Sequence, residues 1–217
     1  DWRSDVLISR GHGGGHHIFQ IALSSSSNQL LTCGVKDIRI WNIENTAASY
    51  VRPSYGEFVE PVEEGENKEE DENAEPTPPI PLGHAQAFLC CTYMRNLPVV
   101  GTADGNLYVF EHNILMRKIE AHEGGVNSMS ISSSQTHPLL VTGGKDGTII
   151  VWNDAIERRD VYNINNYIST LNIKIQSVIL NSDETKILVG VRSADILEIN
   201  RDMNQIASID NTEGISG

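Results

Sequence analysis

One fifteen-residue stretch limits what this chain can fold into more than any other: residues 139–153, LLVTGGKDGTIIVWN. It reads as a β-hairpin. Residues 139–142 and 148–152 are apolar and β-branched, suited to a pleated, half-buried surface, and Asp146-Gly147 between them supplies the positive-φ chemistry of a tight turn. The hairpin closes on Trp152-Asn153. Upstream, residues 126–131 (VNSMSI) alternate like a third strand, and Ala121-His122 stands before them.

The same order recurs three more times. A first unit begins at Gly11-His12 and runs through strands at 18–23, 29–33 and 38–41, closing on Trp41-Asn42, with 47–52 as a fourth strand. Its turn, Val35-Lys36-Asp37, keeps the aspartate but is two residues shorter. A second unit follows Gly83-His84, with strands at 87–93, 99–102 and 107–110, a turn at Asp104-Gly105, Phe110-Glu111 in the closing place, and an outer strand at 115–119. The fourth is the most eroded: strands at 176–180, 187–190 and 196–199, a turn at Ala194-Asp195, Ile199 at the close, and 206–209 as the outer strand. Residues 1–10 read as the outer strand of a preceding unit. About 42 residues separate Phe110 from Trp152 and about 47 separate Trp152 from Ile199, close to the roughly 40–45 of a four-stranded propeller blade. Trp41 and Phe110 are about 69 apart, and removing residues 53–81 restores the period.

That interval differs in composition. Residues 57–75 carry ten acidic side chains against Lys68 alone, and PTPPIP follows, so most of the formal charge of -13 sits in one stretch. With little apolar surface to offset its ordering entropy, and prolines that cannot serve a central strand, the segment is expected to be a disordered insertion between the outer strand of one unit and the inner strand of the next. Elsewhere the chain is only mildly acidic. No basic, aromatic-interleaved surface points to nucleic acid, and no apolar run of membrane-spanning length points to a bilayer. The three cysteines, Cys33, Cys90 and Cys91, fall in strand segments and read as buried thiols in a reducing compartment. The start at Asp1, without methionine, reads as that of a fragment.

The fold class that follows is all-β: a WD40 β-propeller, an arc of about four four-stranded blades (11–52, 83–119, 121–165 and 173–210) from a larger propeller. LLVTGGKDGTIIVWNDAIE, with VVGTADGNLYVF, CGVKDIRIWNI after GHGGG, and ILVGVRSADILEI, resembles the propellers of the echinoderm microtubule-associated protein-like (EML) family. That family has tandem propeller sheets preceded by a hydrophobic segment and binds microtubules or tubulin. The resemblance covers nearly all of the chain outside 53–81. Asn42 and Asn153 stand where such blades have Asp, and Phe110 and Ile199 where they have Trp.

The resemblance also implies roles. In WD40 blades a histidine, a strand hydroxyl, the turn aspartate and the tryptophan indole form a buried hydrogen-bond relay. The matching sets here are His122, Thr142, Asp146 and Trp152; His12, Thr32, Asp37 and Trp41; and His84, Thr102 and Asp104, with no indole. Asp195 stands without partners, and Gly144 sits where a hydroxyl is expected. These are fold residues, because a buried polar group left unsatisfied costs about 1–3 kcal/mol.

No catalytic, metal or cofactor set emerges beside them. The run Gly11 to His17, GHGGGHH, lacks a Cys, Asp or Glu at ligand spacing. Gly143-Gly144-Lys145-Asp146 has no Ser/Thr after the lysine and no helix behind it, so it reads as a hairpin turn rather than a phosphate loop. The expected function is a non-catalytic interaction module that binds tubulin, microtubules and other cytoskeletal or axonemal proteins, in the cytoplasm, on the cytoskeleton and in the ciliary axoneme. Nucleic acid and membrane are not expected partners. Two alternatives stand beside it. A propeller that receives ubiquitin-ligase substrates is disfavoured by the absence of Trp-Asp-x-Arg, and a propeller-based enzyme would need convergent carboxylates or a metal over the channel.

Overall fold

The computed structural model describes residues 15–44, 47–58, 80–134, 136–167, 173–193, 195–202 and 205–208. Sixteen of its strands form four antiparallel sheets of four, each a meander in chain order. Blade 1 comprises β1 (Ile18–Leu23), β2 (Gln29–Gly34), β3 (Asp37–Glu44) and β4 (Ala47–Val51). A two-stranded ribbon, β5 (Glu57–Phe58) with β6 (Ile80–Pro81), precedes blade 2, built from β7 (Phe88–Met94), β8 (Leu97–Thr102), β9 (Asn106–Glu111) and β10 (Ile114–Glu120). Blade 3 is β11 (Val126–Ile131), β12 (Leu140–Gly144), β13 (Thr148–Trp152) and β14 (Arg158–Asn163), and blade 4 is β15 (Ile175–Leu180), β16 (Lys186–Val191), β17 (Ile196–Asn200) and β18 (Gln205–Ser208). This is the all-β, blade-by-blade arrangement of a propeller. Residues 1–10 and His12 lie outside the described residues.

Local chemistry sets the turns. Arg95-Asn96 joins β7 to β8 and His112-Asn113 joins β9 to β10, and all four residues have positive φ, as a two-residue type I′ hairpin demands.

The blades stack through one repeated device. In β1, β7, β11 and β15 the pairing register slips after the first residue, a bulge that puts positions i, i+3 and i+5 on the same face. Phe88, Cys91 and Tyr93 of β7 thereby pack with Leu31, Cys33 and Ile38 of blade 1. Val126, Met129 and Ile131 of β11 meet Cys90, Val99 and Val109 of blade 2. Ile175, Val178 and Leu180 of β15 meet Val141, Ile149 and Val151 of blade 3. Each core is thus shared between sheets, so no blade holds its own apolar faces out of water.

The adjacent cysteines follow from strand alternation. Cys90 faces blade 3, with its thiol donating to the Val126 carbonyl (3.1 Å), while Cys91 faces blade 1. All three thiols are free and buried. Burial pushes the Cys90 thiol well up, and a hydrogen bond with Cys33 together with burial does the same for Cys91, so neither is a ready nucleophile.

Ordered backbone reaches further into 53–81 than composition suggests. The Ser54 N–H donates to the Asn113 carbonyl and its own carbonyl accepts from Leu115 N–H, both at 2.9 Å. Tyr55 lies with its ring centroid 6.4 Å from both Phe88 and Tyr108. One aromatic ring and two backbone bonds hold what a count of charges and prolines passes over. Residues 59–79, with most of the acidic run, lie outside the described residues.

Candidate functional site

Blade 3 carries the fullest polar constellation. His122, in the loop ahead of β11, has no exposed side-chain surface; it lies against Thr142 of β12, Asp146 of the β12–β13 turn, and Thr148 of β13. The indole N–H of Trp152 donates to Thr142 Oγ1 at 2.9 Å. Thr142 Oγ1 is also 2.9 Å from His122 Nε2, and His122 Nδ1 is 2.8 Å from Thr148 Oγ1, which in turn donates to Asp146 Oδ1 at 2.8 Å.

Counting donors orders the chain. Because Thr148 spends its proton on Asp146, it accepts from the Nδ1–H of His122. Nε2 is then the acceptor for Thr142, whose oxygen accepts from the indole. Every polar atom of the relay is engaged in one direction, from Trp152 to Asp146.

Asp146 ends the chain as a carboxylate. Burial alone pushes its pKa up, but the hydrogen bond of His122 and the N–H groups of Thr148 and Glu123 outweigh that and hold it at about 2. Thr148 is the member that the sequence reading missed, and its signal was the hydroxyl two residues past the turn aspartate. Gly144, where a hydroxyl was expected, has a different task. A Cβ there would lie 2.3 Å from His122 Nδ1 and 2.4 Å from Asp146 Oδ1, so only glycine leaves room for the imidazole.

The other blades hold parts of this pattern. In blade 1 the Trp41 indole donates to Thr32 Oγ1 at 2.9 Å. Asp37, however, pairs with Arg39 (2.7 Å) and Arg52 (3.3 Å). The shorter turn explains this, since Asp37 is the first residue of β3, registered opposite Gly34. Arg39 is buried, with its guanidinium carbon 4.3 Å from the Tyr50 ring centroid.

In blade 2, Thr102 accepts from the Asn106 N–H (2.9 Å) and donates to Asp104. His84, grouped with them from sequence, is instead exposed, and its backbone N–H donates to Tyr108 Oη. Gln86 takes the place beside Asp104, accepting from its N–H at 3.2 Å. Phe110, fully buried, has no N–H to offer Thr102. Burial pushes the Asp104 carboxyl up, but hydrogen bonds from Thr102, Gln86 and Asn106 leave it lower than an ordinary aspartate. In blade 4, Asp195 is exposed and accepts from Ser193 Oγ at 2.7 Å, while the apolar Val189 and Ile199 are fully buried.

A groove of about 480 Å³ runs beside the blade 3 relay, lined by Glu120, His122, Glu123, Asp146, Arg158 and Asn163. Arg158 of β14 crosses it: its guanidinium donates to the Glu120 carbonyl at 2.6 Å and lies 5.8 Å from the Trp152 ring centroid. Blades 2 and 3 are clamped there by a cation on backbone oxygen. Both ring nitrogens of His122 are committed, so the arrangement offers fixed shape rather than a group free to move a proton. Among the described residues no cluster of three His, Cys, Asp or Glu side chains is placed to hold a metal ion, and His16 and His17 are exposed.

Residues 113–153 match the family model described as WD domain, G-beta repeat. The match covers β10 and then β11 to β13, so the sequence repeat begins in the outer strand of blade 2 and ends at the Trp152 indole of blade 3. With four such sheets in succession, the chain is a WD40 propeller region, an architecture that serves as a protein-interaction scaffold.

Proposed function

We propose that this propeller region is the non-catalytic docking platform of a microtubule-associated protein. It binds tubulin or assembled microtubules together with other cytoskeletal or axonemal proteins, in the cytoplasm, on the cytoskeleton and in the ciliary axoneme. The observation that carries this reading is the set of blade phrases, from CGVKDIRIWNI to ILVGVRSADILEI, that resembles the EML propellers. The relay supports a scaffold rather than an enzyme, because the buried, fully bonded His122 stiffens a blade and has nothing left for a substrate. Rigid blades hold their loops in fixed positions, and a large, pre-organised surface costs little ordering entropy on docking.

Co-sedimentation of the full-length protein with polymerised tubulin tests the reading. The expected result is that the protein pellets with the polymer at low salt. If it stays in the supernatant at low salt, with and without axonemal partners, the microtubule assignment is wrong.

A further inference from the structure

Blades 2 and 3 share a plan but differ at one place. Tyr108 of β9 and Ile150 of β13 match each other: each precedes by two positions the residue that closes its hairpin, Phe110 or Trp152, and each pairs with its outer strand, at Lys118 and Val161. In blade 2 this place is full. The Tyr108 ring lies under Gly83, where a Cβ would fall 2.9 Å from ring carbons, and its hydroxyl accepts from the His84 N–H at 3.3 Å. The Tyr55 ring stands against it edge-on, carried in by an extended segment whose Ser54 bonds to the backbone of Asn113 and Leu115.

In blade 3 the residues matching Gly83 and His84 are Ala121 and His122, the side chain beneath them is the smaller Ile150, and β10 runs into them at Glu120 with no inserted segment. Both rings are absent from the matching place. With His122 inside the relay, the groove of about 480 Å³ is the space that remains. Its walls come from blades 2 and 3, which pack directly on each other.

The lining says what fits. One wall is apolar, for Val161 is 57% exposed beside the buried Ile150. The rim is acidic: Glu120 and Glu123 are exposed, and their carboxylates make no hydrogen bond or ion pair among the described residues. Counting Asp146, three carboxylates line the groove against the single guanidinium of Arg158, which is itself held by the Glu120 and Ala121 carbonyls. We propose that this groove docks an extended, basic segment of a partner protein, with one aromatic side chain on Ile150 and Val161 and a lysine or arginine beside Glu120 and Glu123. A rigid ring gains contact area for few lost rotamers, and the fully bonded relay behind the groove keeps its shape before docking. The proposal does not depend on the tubulin reading.

Fluorescence anisotropy of a labelled peptide titrated with the full-length protein reads it out. The probes are Gly-Lys-Phe-Lys-Gly and Gly-Lys-Ala-Lys-Gly, equal in charge, so that attraction to the acidic stretch 57–75 is the same for both. The phenylalanine peptide is expected to bind about tenfold tighter, and Glu123→Lys to weaken it about fivefold. Ile150→Tyr gives blade 3 the ring that blade 2 holds at Tyr108, and is expected to bring the phenylalanine peptide down to the affinity of the alanine one. If that variant loses the wild-type melting transition, Val161→Lys, with the side chain that blade 2 carries at Lys118, replaces it with the same expectation. Absence of binding, equal affinity of the two peptides for the wild type, or a phenylalanine peptide indifferent to Glu123→Lys or to the groove-filling variant each overturns the proposal.

Discussion

Thr142 shows how much one hydroxyl holds. It accepts from the Trp152 indole and bonds to His122, so removing it leaves two buried partners unsatisfied at once. Thr142→Val keeps the volume and loses both bonds, and is expected to cost about 2–4 kcal/mol, read as a lower denaturant midpoint with an unchanged slope. Asp146 adds a pH signature. Its folded pKa of about 2 lies below the ordinary 3.8, so the stability it contributes is fully present above about pH 4 and is lost as pH falls through about 2. Stability measured down that range falls more steeply in the wild type than in Asp146→Asn, which has no proton to take up there. Equal slopes would remove Asp146 from the account.

At the scale of the element, the hairpin turn decides register. Asn113 sits at φ 65°, a left-handed value that glycine and asparagine tolerate and that other side chains adopt at a cost of about 1–2 kcal/mol. Asn113→Ala should therefore lower the melting temperature while Asn113→Gly leaves it close to wild type; an equal loss in both would mean that the asparagine side chain itself, and not its backbone, matters. The elements were also the most legible part of the sequence. Alternation and turn chemistry placed the three inner strands of blades 1 to 3, because both signals are carried by the strand and the turn next to it in the chain. The base of the acidic segment was not legible, since Tyr55 is held by Phe88 and Tyr108, contacts that local composition does not encode.

Charge belongs to the whole molecule. The microtubule exterior is acidic, so a segment with ten acidic residues against one lysine is repelled from it over a Debye length of about 8 Å at physiological ionic strength. Under the proposed function this segment faces away from the lattice. Replacing residues 57–75 of the full-length protein with a neutral Gly/Ser linker of equal length is expected to leave lattice affinity in co-sedimentation unchanged or to raise it. A clear loss of pelleting, with the propeller still folded, would falsify that orientation.

Sequence by itself determined the repeated unit: a period, a turn aspartate and an alternation that recur four times make four-stranded blades, because each signal is local and set by backbone geometry. It also picked out Thr142, Asp146, Trp152 and His122, since the resemblance marks those positions. Only the tertiary structure decided which side chains meet. Thr148 entered the relay because it stands between His122 and Asp146 in space, and Gly144 proved to be the gap that admits the imidazole. Gln86 displaced His84 beside Asp104, and Asp37 turned to Arg39, because a two-residue change in a turn moves a carboxylate from a loop into a strand. Such choices depend on distances between strands far apart in the chain, and period and composition do not carry them.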